Sequence, residues 1–263
     1  MARPRILIFD SGLGGLTVYR EVAKLRPDAD YTYVADDAFF PYGDHAEAAL
    51  AERVVPLIGD LIARHRPDLV VIACNTASTL VLSHLRAAFA TPFVGTVPAI
   101  KPACAGSTTK RVAVLGTQAT VTREYTRKLI KDFAQDCDVR LVGSARLATI
   151  AEAVLRGQPI DDTAVAAEIA PCFIDGDGRR TDTIVLACTH YPLLIDRFKQ
   201  LAPWPVAWVD PAAAIARRVT ALIGPAAMPD ATLTAQAIFT SGRAAEPPLA
   251  EALSLRGFSL AAH

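Results

Sequence analysis

Cys74 and Cys188 are the side chains of this sequence whose type and setting best suit them to move protons. Cys74 ends the apolar run Leu69-Val70-Val71-Ile72-Ala73 and precedes Asn75-Thr76-Ala77-Ser78, a cluster suited to capping a helix N-terminus. Cys188 ends Ile184-Val185-Leu186-Ala187 and precedes Thr189-His190-Tyr191-Pro192, with Pro192 suited to the first turn of a helix. A thiol in such a place meets free amides and the helix dipole, so its pKa is expected to fall from roughly 8.5 toward neutrality. Taken singly, either cysteine reads as a small buried core residue. As a matched pair at equivalent strand ends they can serve as opposed acid and base. Taking a proton from one face of a carbon and returning one to the other needs such a group on each side. The carbanion formed on the way would need donors already in place in a dry cleft, with backbone amides, Asn75, Thr76, Thr117 and Thr189 as candidates.

Other polar motifs also fall where strands end. Asp10-Ser11-Gly12-Leu13-Gly14-Gly15 opens a helix after the first strand, a setting that favours an anion. Its G-x-G-G spacing is not the dinucleotide-binding G-x-G-x-x-G, and the chain has no G-x-x-x-x-G-K-[ST]. A small carboxylate is the better ligand, with a turn packed on a neighbouring strand as the alternative. Pro41-Tyr42-Gly43 reads as a turn offering a phenol and amides to a ligand, although alone it is structural. Asp36 and Asp37 read as solvated loop acids or caps. Thr117 and Thr120 supply hydroxyls near a helix start, with ordinary capping as the alternative. Glu152 alone is a helix-surface acid. Cys104, Cys137 and Cys172 read as packing residues, His45, His65, His84 and His263 as surface or helix-end residues, and Arg179-Arg180 as a solvated loop.

Positioning these groups calls for an α/β fold. Short apolar runs alternate with helical stretches, the pattern of parallel sheets covered by helices. Strands are expected at 5–9, 31–34, 69–73, 92–95, 111–115, 139–142, 183–187, 206–209 and 237–240. Helices are expected after Gly15 (ending at Pro27), over 46–65 with a kink or split at Pro56, and over 121–134. The run Val70-Val71-Ile72-Ala73-Cys74 resembles Ile184-Val185-Leu186-Ala187-Cys188, and Ile6-Leu7-Ile8-Phe9 resembles Val112-Ala113-Val114-Leu115, in the same order. Two similar doubly wound halves follow, with a boundary among the prolines and small residues of 97–106 and a cleft between the halves. The 263 residues carry 27 Lys+Arg and 27 Asp+Glu, so no charge excess points to nucleic acid or a membrane surface. No apolar stretch is long enough to span a bilayer, and the N-terminus has no signal-peptide pattern. Five scattered cysteines suit a reducing cytoplasm, and with no Cys-x-x-Cys a structural zinc is not expected.

Together the motifs resemble bacterial glutamate racemase. They are Phe9-Asp10-Ser11-Gly12-Leu13-Gly14-Gly15, Pro41-Tyr42-Gly43, Ala73-Cys74-Asn75-Thr76, Leu115-Gly116-Thr117 with Thr120-Val121, and Ala187-Cys188-Thr189-His190-Tyr191-Pro192. The resemblance implies interconversion of L- and D-glutamate without cofactor or metal, supplying D-glutamate for peptidoglycan. It implies that Cys74 works on the D-substrate and Cys188 on the L-substrate. Asp10 would assist Cys74, His190 would assist Cys188, and Glu152 matches a helper carboxylate. Asp10, Ser11, Tyr42, Gly43, Asn75, Thr76, Thr117, Thr120, Thr189 and His190 would meet the substrate. The family fold implies that 1–97 and 207–263 form one domain and 98–206 the other. A homodimer and a cell-wall nucleotide precursor as regulator are further partners the resemblance raises. The chain departs from the common pattern at Phe39 and at Thr122-Arg123. The rivals are an aspartate or hydantoin racemase, a decarboxylase (which would keep one cysteine), and an amino-acid-binding module, which would need neither.

Overall fold

The apolar runs fold as parallel strands because helices bury them on both faces. The structure, a computed structural model, describes residues 3–134, 136–229 and 231–260; His263 lies outside them. In chain order the strands are β1 (Arg5–Asp10), β2 (Asp30–Ala35), β3 (Leu69–Ile72), β4 (Phe93–Gly95), β5 (Arg111–Thr117), β6 (Asp138–Ser144), β7 (Asp175–Gly176), β8 (Arg179–Arg180), β9 (Thr183–Ala187), β10 (Ala207–Val209), β11 (Thr234–Phe239) and β12 (Phe258–Leu260). The helices are α1 (Leu16–Leu25), α2 (Glu47–His65), α3 (Asn75–Ala88), α4 (Ile100–Gly106), α5 (Gln118–Thr122), α6 (Glu124–Phe133), α7 (Leu147–Leu155), α8 (Asp162–Ile169), α9 (Ile195–Leu201), α10 (Ala212–Ile223) and α11 (Pro247–Ser254).

Two main sheets result, ordered β12-β11-β2-β1-β3-β4 and β10-β9-β5-β6. Reading the second in reverse gives β6-β5-β9-β10 against β2-β1-β3-β4 in the first, so β5 stands where β1 does and β9 where β3 does. The two sequence resemblances are therefore structural equivalences, and Cys74 and Cys188 follow equivalent strands. All ladders within the two sheets are parallel. The first sheet is covered by one apolar layer that includes Leu16, Tyr19 and Val22 of α1 and by another that includes Val54 and Ile58 of α2 and Val81 of α3. The second is covered likewise, by α7–α9 on one side and α4 with α6 on the other.

Several expectations shift. α2 runs unbroken through Pro56, which is exposed, so the hydrogen bond it removes lies on the solvent side. The helix expected over 121–134 starts earlier, at Gln118, and breaks at Arg123, whose extended backbone (φ −69, ψ 143) separates α5 from α6. Arg179-Arg180 is half of the antiparallel β7–β8 hairpin rather than a loop. β12 went unread, and β11 begins three residues before the expected 237. β10 pairs with β9, so the chain is still in the second sheet at 207–209 and returns to the first only with α10, which packs on α1. No helix among the described residues is long and apolar enough to cross a membrane.

Candidate active site

Cys74 lies just past β3 and caps α3, its sulfur accepting the Ala77 amide at 3.5 Å. Burial nevertheless pushes its thiol up to about 12, with the nearby Asp10 charge adding to the rise. The expected fall toward neutrality does not occur, because one amide and the Ser11 hydroxyl do not offset the loss of solvent. Cys188 differs from its counterpart. A turn and then a 3-10 segment, Tyr191–Leu194, follow it before α9 begins, so it does not cap an α-helix. Its partner is instead the imidazole of His190, with Nδ1 3.8 Å from the sulfur.

Behind Cys188 stands a chain of ionisable groups. His190 Nε2 lies 2.9 Å from Glu152 Oε1, and both residues are buried. Burial alone would strip the His190 proton, but the Cys188 and Glu152 hydrogen bonds prevail and hold the imidazole well above its ordinary range. Glu152 moves the other way: burial would raise it, yet His190 and the Leu13 amide keep the carboxyl below its ordinary value. With Nε2 donating to Glu152, the Gly14 amide 3.2 Å from the same nitrogen is a close approach and not a hydrogen bond.

The loop 10–15 explains this proximity. Leu13 N–H donates to Glu152 Oε1 at 2.5 Å, and Gly12 N–H donates to Asp10 Oδ1 at 2.9 Å. The carboxylate expected at this helix start is thus supplied by the chain itself, by Glu152 from the opposite half. Gly12 and Gly14 are there because the other half presses on the loop. A Cβ on Gly12 would stand 2.4 Å from Glu152 Oε1, and one on Gly14 2.4 Å from His190 Nδ1 and 2.7 Å from its backbone nitrogen. Asp10 is fully buried, and burial raises its carboxyl despite the opposing His190 charge. It takes a further bond from Thr189 Oγ1 at 2.9 Å across the cleft.

The lining brings together Ser11, Tyr42, Gly43, Cys74, Asn75, Thr76, Thr117, Cys188, Thr189 and His190, all expected, with Phe40, Pro41 and Ala148, which were not. The Phe40 ring lies 5.4 Å from that of His190. Asp10, Thr120 and Glu152 stand behind this layer and support it. Thr120 is fully buried and joins Thr76 and Thr117 in a hydroxyl triangle across the two halves, with edges of 3.3, 2.9 and 3.2 Å. Thr117 also caps α5, as the capping alternative expected. The Tyr42 phenol is already engaged: it donates to Asp36 at 2.7 Å. Asp36, expected as a solvated acid, is buried with Arg53, Tyr42 and Thr240 around it.

Asn75 departs from this satisfaction. Both polar atoms of its side chain are buried without a hydrogen-bond partner among the described residues. Such a group carries a cost of about 1–3 kcal/mol that a bound polar molecule would remove. The amides of Asn75 and Thr76 at the start of α3 have no preceding helical carbonyl to bond and add donors for an anion, the Ala77 amide being taken by the Cys74 sulfur. Arg123, whose only earlier signal was its departure from the family pattern, reaches from the second half to the Thr76 carbonyl (3.2 Å) and Thr79 Oγ1 (3.3 Å). No three His, Cys, Asp or Glu side chains converge as metal ligands would, among the described residues.

The site therefore sets two thiols from two equivalent half-structures against one narrow space, each backed by its own carboxylate. Comparison with known proteins agrees with this arrangement. The Asp/Glu/hydantoin racemase family matches residues 14–219. A glutamate racemase of Brucella anthropi is 61% identical over 84% of this chain and 80% of its own. One of Sinorhizobium fredii is 54% identical over 97% and 95%. The crystal structure of Escherichia coli glutamate racemase, in complex with L-glutamate and the activator UDP-MurNAc-Ala, superposes with a TM-score of 0.87 at 40% identity over 98% of this chain and 97% of that one. With a matched pair of cysteines on duplicated strands and these relatives along most of its length, the chain belongs to the Asp/Glu/hydantoin racemase family.

Proposed function

We propose that this protein is a glutamate racemase that works with Cys74 and Cys188 as its two acid/base groups and needs no cofactor. The observation that carries the mechanism is that the two thiols line one cleft from equivalent positions of two sheets. The amino acid would lie between them, with its carboxylates on the α3 first-turn amides, Asn75 and the hydroxyls of Thr76, Thr117 and Thr189. In the L-to-D direction Cys188 accepts the Cα proton, with the His190 proton positioned to balance charge on its sulfur. Cys74, which holds its proton firmly, delivers it to the opposite face. In the reverse direction Cys74 must first be deprotonated, and substrate binding, which changes the charge and solvation around it, is the event that permits this. Asp10, itself raised by burial, is placed to share that proton.

The names of the relatives support glutamate as substrate. Circular dichroism of purified protein with each enantiomer, without added cofactor, should show both converging on the racemate. L-Aspartate in place of L-glutamate should give little rotation change; turnover of aspartate alone would remove the substrate assignment and leave the mechanism standing. Cys74→Ser and Cys188→Ser should each lower racemisation by about 10²-fold or more, because a serine hydroxyl is a far poorer acid/base at neutral pH. Near-full racemisation, with Cα-proton exchange in deuterated water unchanged in both variants, would overturn the two-thiol mechanism.

D-Glutamate production for peptidoglycan and a reducing cytoplasmic location go with this reading, supported by five free cysteines. The E. coli structure with its activator supports a cell-wall nucleotide precursor as regulator here too, which UDP-MurNAc-Ala tests: a rise in kcat/KM is expected, and an unchanged value removes the regulator. A homodimer remains part of the proposal; gel filtration with light scattering decides between it and a monomer.

A further inference from the structure

Cys104 and Cys137 stand outside the cleft, 33 residues apart in sequence, and the fold brings them together. Cys104 lies near the end of α4 and Cys137 in the turn that enters β6. The Cys137 thiol donates to the Cys104 carbonyl oxygen at 3.6 Å. Both line one surface pocket of about 400 Å³ together with Lys101, Lys110, Asp132 and Phe133. Burial raises the Cys104 thiol to about 12, and the neighbouring Cys137 thiol adds to the rise. Cys104 is buried and Cys137 only half-buried, so one thiol of the pair faces solvent and the other waits behind it. Packing alone does not call for two thiols at a pocket wall among charged neighbours.

We propose that Cys104 and Cys137 form a redox-modification site that a hydroperoxide closes to an intramolecular disulfide. The Cys137 thiolate attacks the terminal peroxide oxygen; an S–O bond forms, the O–O bond breaks, and the alcohol (or water, from hydrogen peroxide) leaves with a proton. The Cys104 sulfur then attacks the Cys137 sulfenic acid; the S–S bond forms, the S–O bond breaks, and the hydroxyl leaves as water with the Cys104 proton. Two thiols are oxidised by two electrons, and the peroxide is reduced by the same two. Exposure makes Cys137 the group that meets the oxidant, and Cys104 is the neighbouring thiol available to resolve its sulfenic acid. The bridge would fasten α4, the first helix after the crossing from the first sheet, to the strand at the far edge of the second.

The test treats the full-length protein with hydrogen peroxide, blocks free thiols and maps peptides without reduction. Most chains should yield one linked pair containing Cys104 and Cys137, two hydrogens lighter than the separate peptides, while Cys74 and Cys188 remain open to alkylation. The melting temperature should rise on oxidation and fall back with dithiothreitol. Cys137→Ser should lose the link and the rise while keeping the activity of the reduced protein. Cys104→Ser should leave Cys137 as a sulfenic acid that dimedone traps. Cys137 carried on to the sulfinic acid, or linked to another chain, with Cys104 still alkylatable in the unaltered protein would overturn the proposal.

Discussion

At the scale of single residues, Glu152 decides most. Its side chain bonds both the His190 ring and the loop 10–15, so a change there reaches the chemistry and the contact between halves together. Glu152→Gln should lower kcat/KM by about tenfold or more, because the imidazole loses the charge that holds its proton. It should also cost about 1–3 kcal/mol of stability, with a recognisable pH dependence. The Glu152 part of the pair is fully present above its unfolded value of 4.5 and is lost as pH falls through its lowered folded value. The His190 part is fully present below 6.5 and is lost as pH rises through its raised folded value. Urea unfolding of the two proteins should therefore differ most between those two pH values and converge on either side. A difference that stayed constant from well below pH 4.5 to well above pH 6.5 would show that the pair is not ionised as described.

At the scale of elements, the loop before α1 is shaped by what presses on it. Gly14→Ala places a methyl against the His190 ring, and overpacking of that kind costs about 1–3 kcal/mol. Since the ring belongs to the other half, the cost is expected as weaker closure: KM should rise strongly while the far-UV spectrum stays that of the parent. Arg123 acts at the break between α5 and α6. Arg123→Gln removes the tie to Thr76 and Thr79 and should raise KM by about tenfold, one lost charge-assisted bond being about 1.5–3 kcal/mol; an unchanged KM would mean that this tie does not govern closure. The sequence carried the strands well because their apolar runs are continuous and short. It misplaced the 121–134 helix because the break at Arg123 comes from a tertiary contact with the first half, with no glycine or proline to mark it. It held Pro56 to be disruptive because it could not show that the missing bond faces water.

At the scale of the molecule, closure is what the sequence left out. Cys74 and Cys188 were legible because each follows a strand pattern that occurs twice. Glu152 was legible only through the family resemblance, since its burial depends on a loop 139 residues away. The Tyr42 hydroxyl looked available for the same reason in reverse, as its partner Asp36 is held in place by Thr240, 204 residues further along the chain. The two halves meet so tightly that the cleft holds about 20 Å³, little more than one water. Glutamate enters only if they part. Turnover should accordingly slow as solvent viscosity rises, if parting limits the rate; kcat independent of added sucrose would place the limit at the proton transfers.

The two thiols are unlike: one caps a helix and keeps its proton, the other faces an imidazolium. Yet mirror-image substrates have the same free energy in water. The ratio kcat/KM must then be the same for either enantiomer, since each measures the climb from free enzyme and free amino acid to one shared summit. Whatever advantage the unlike settings confer on turnover in one direction has to reappear as weaker binding in that direction. A racemase assembled from two non-identical halves can be lopsided in kcat and in KM separately, and never in their quotient.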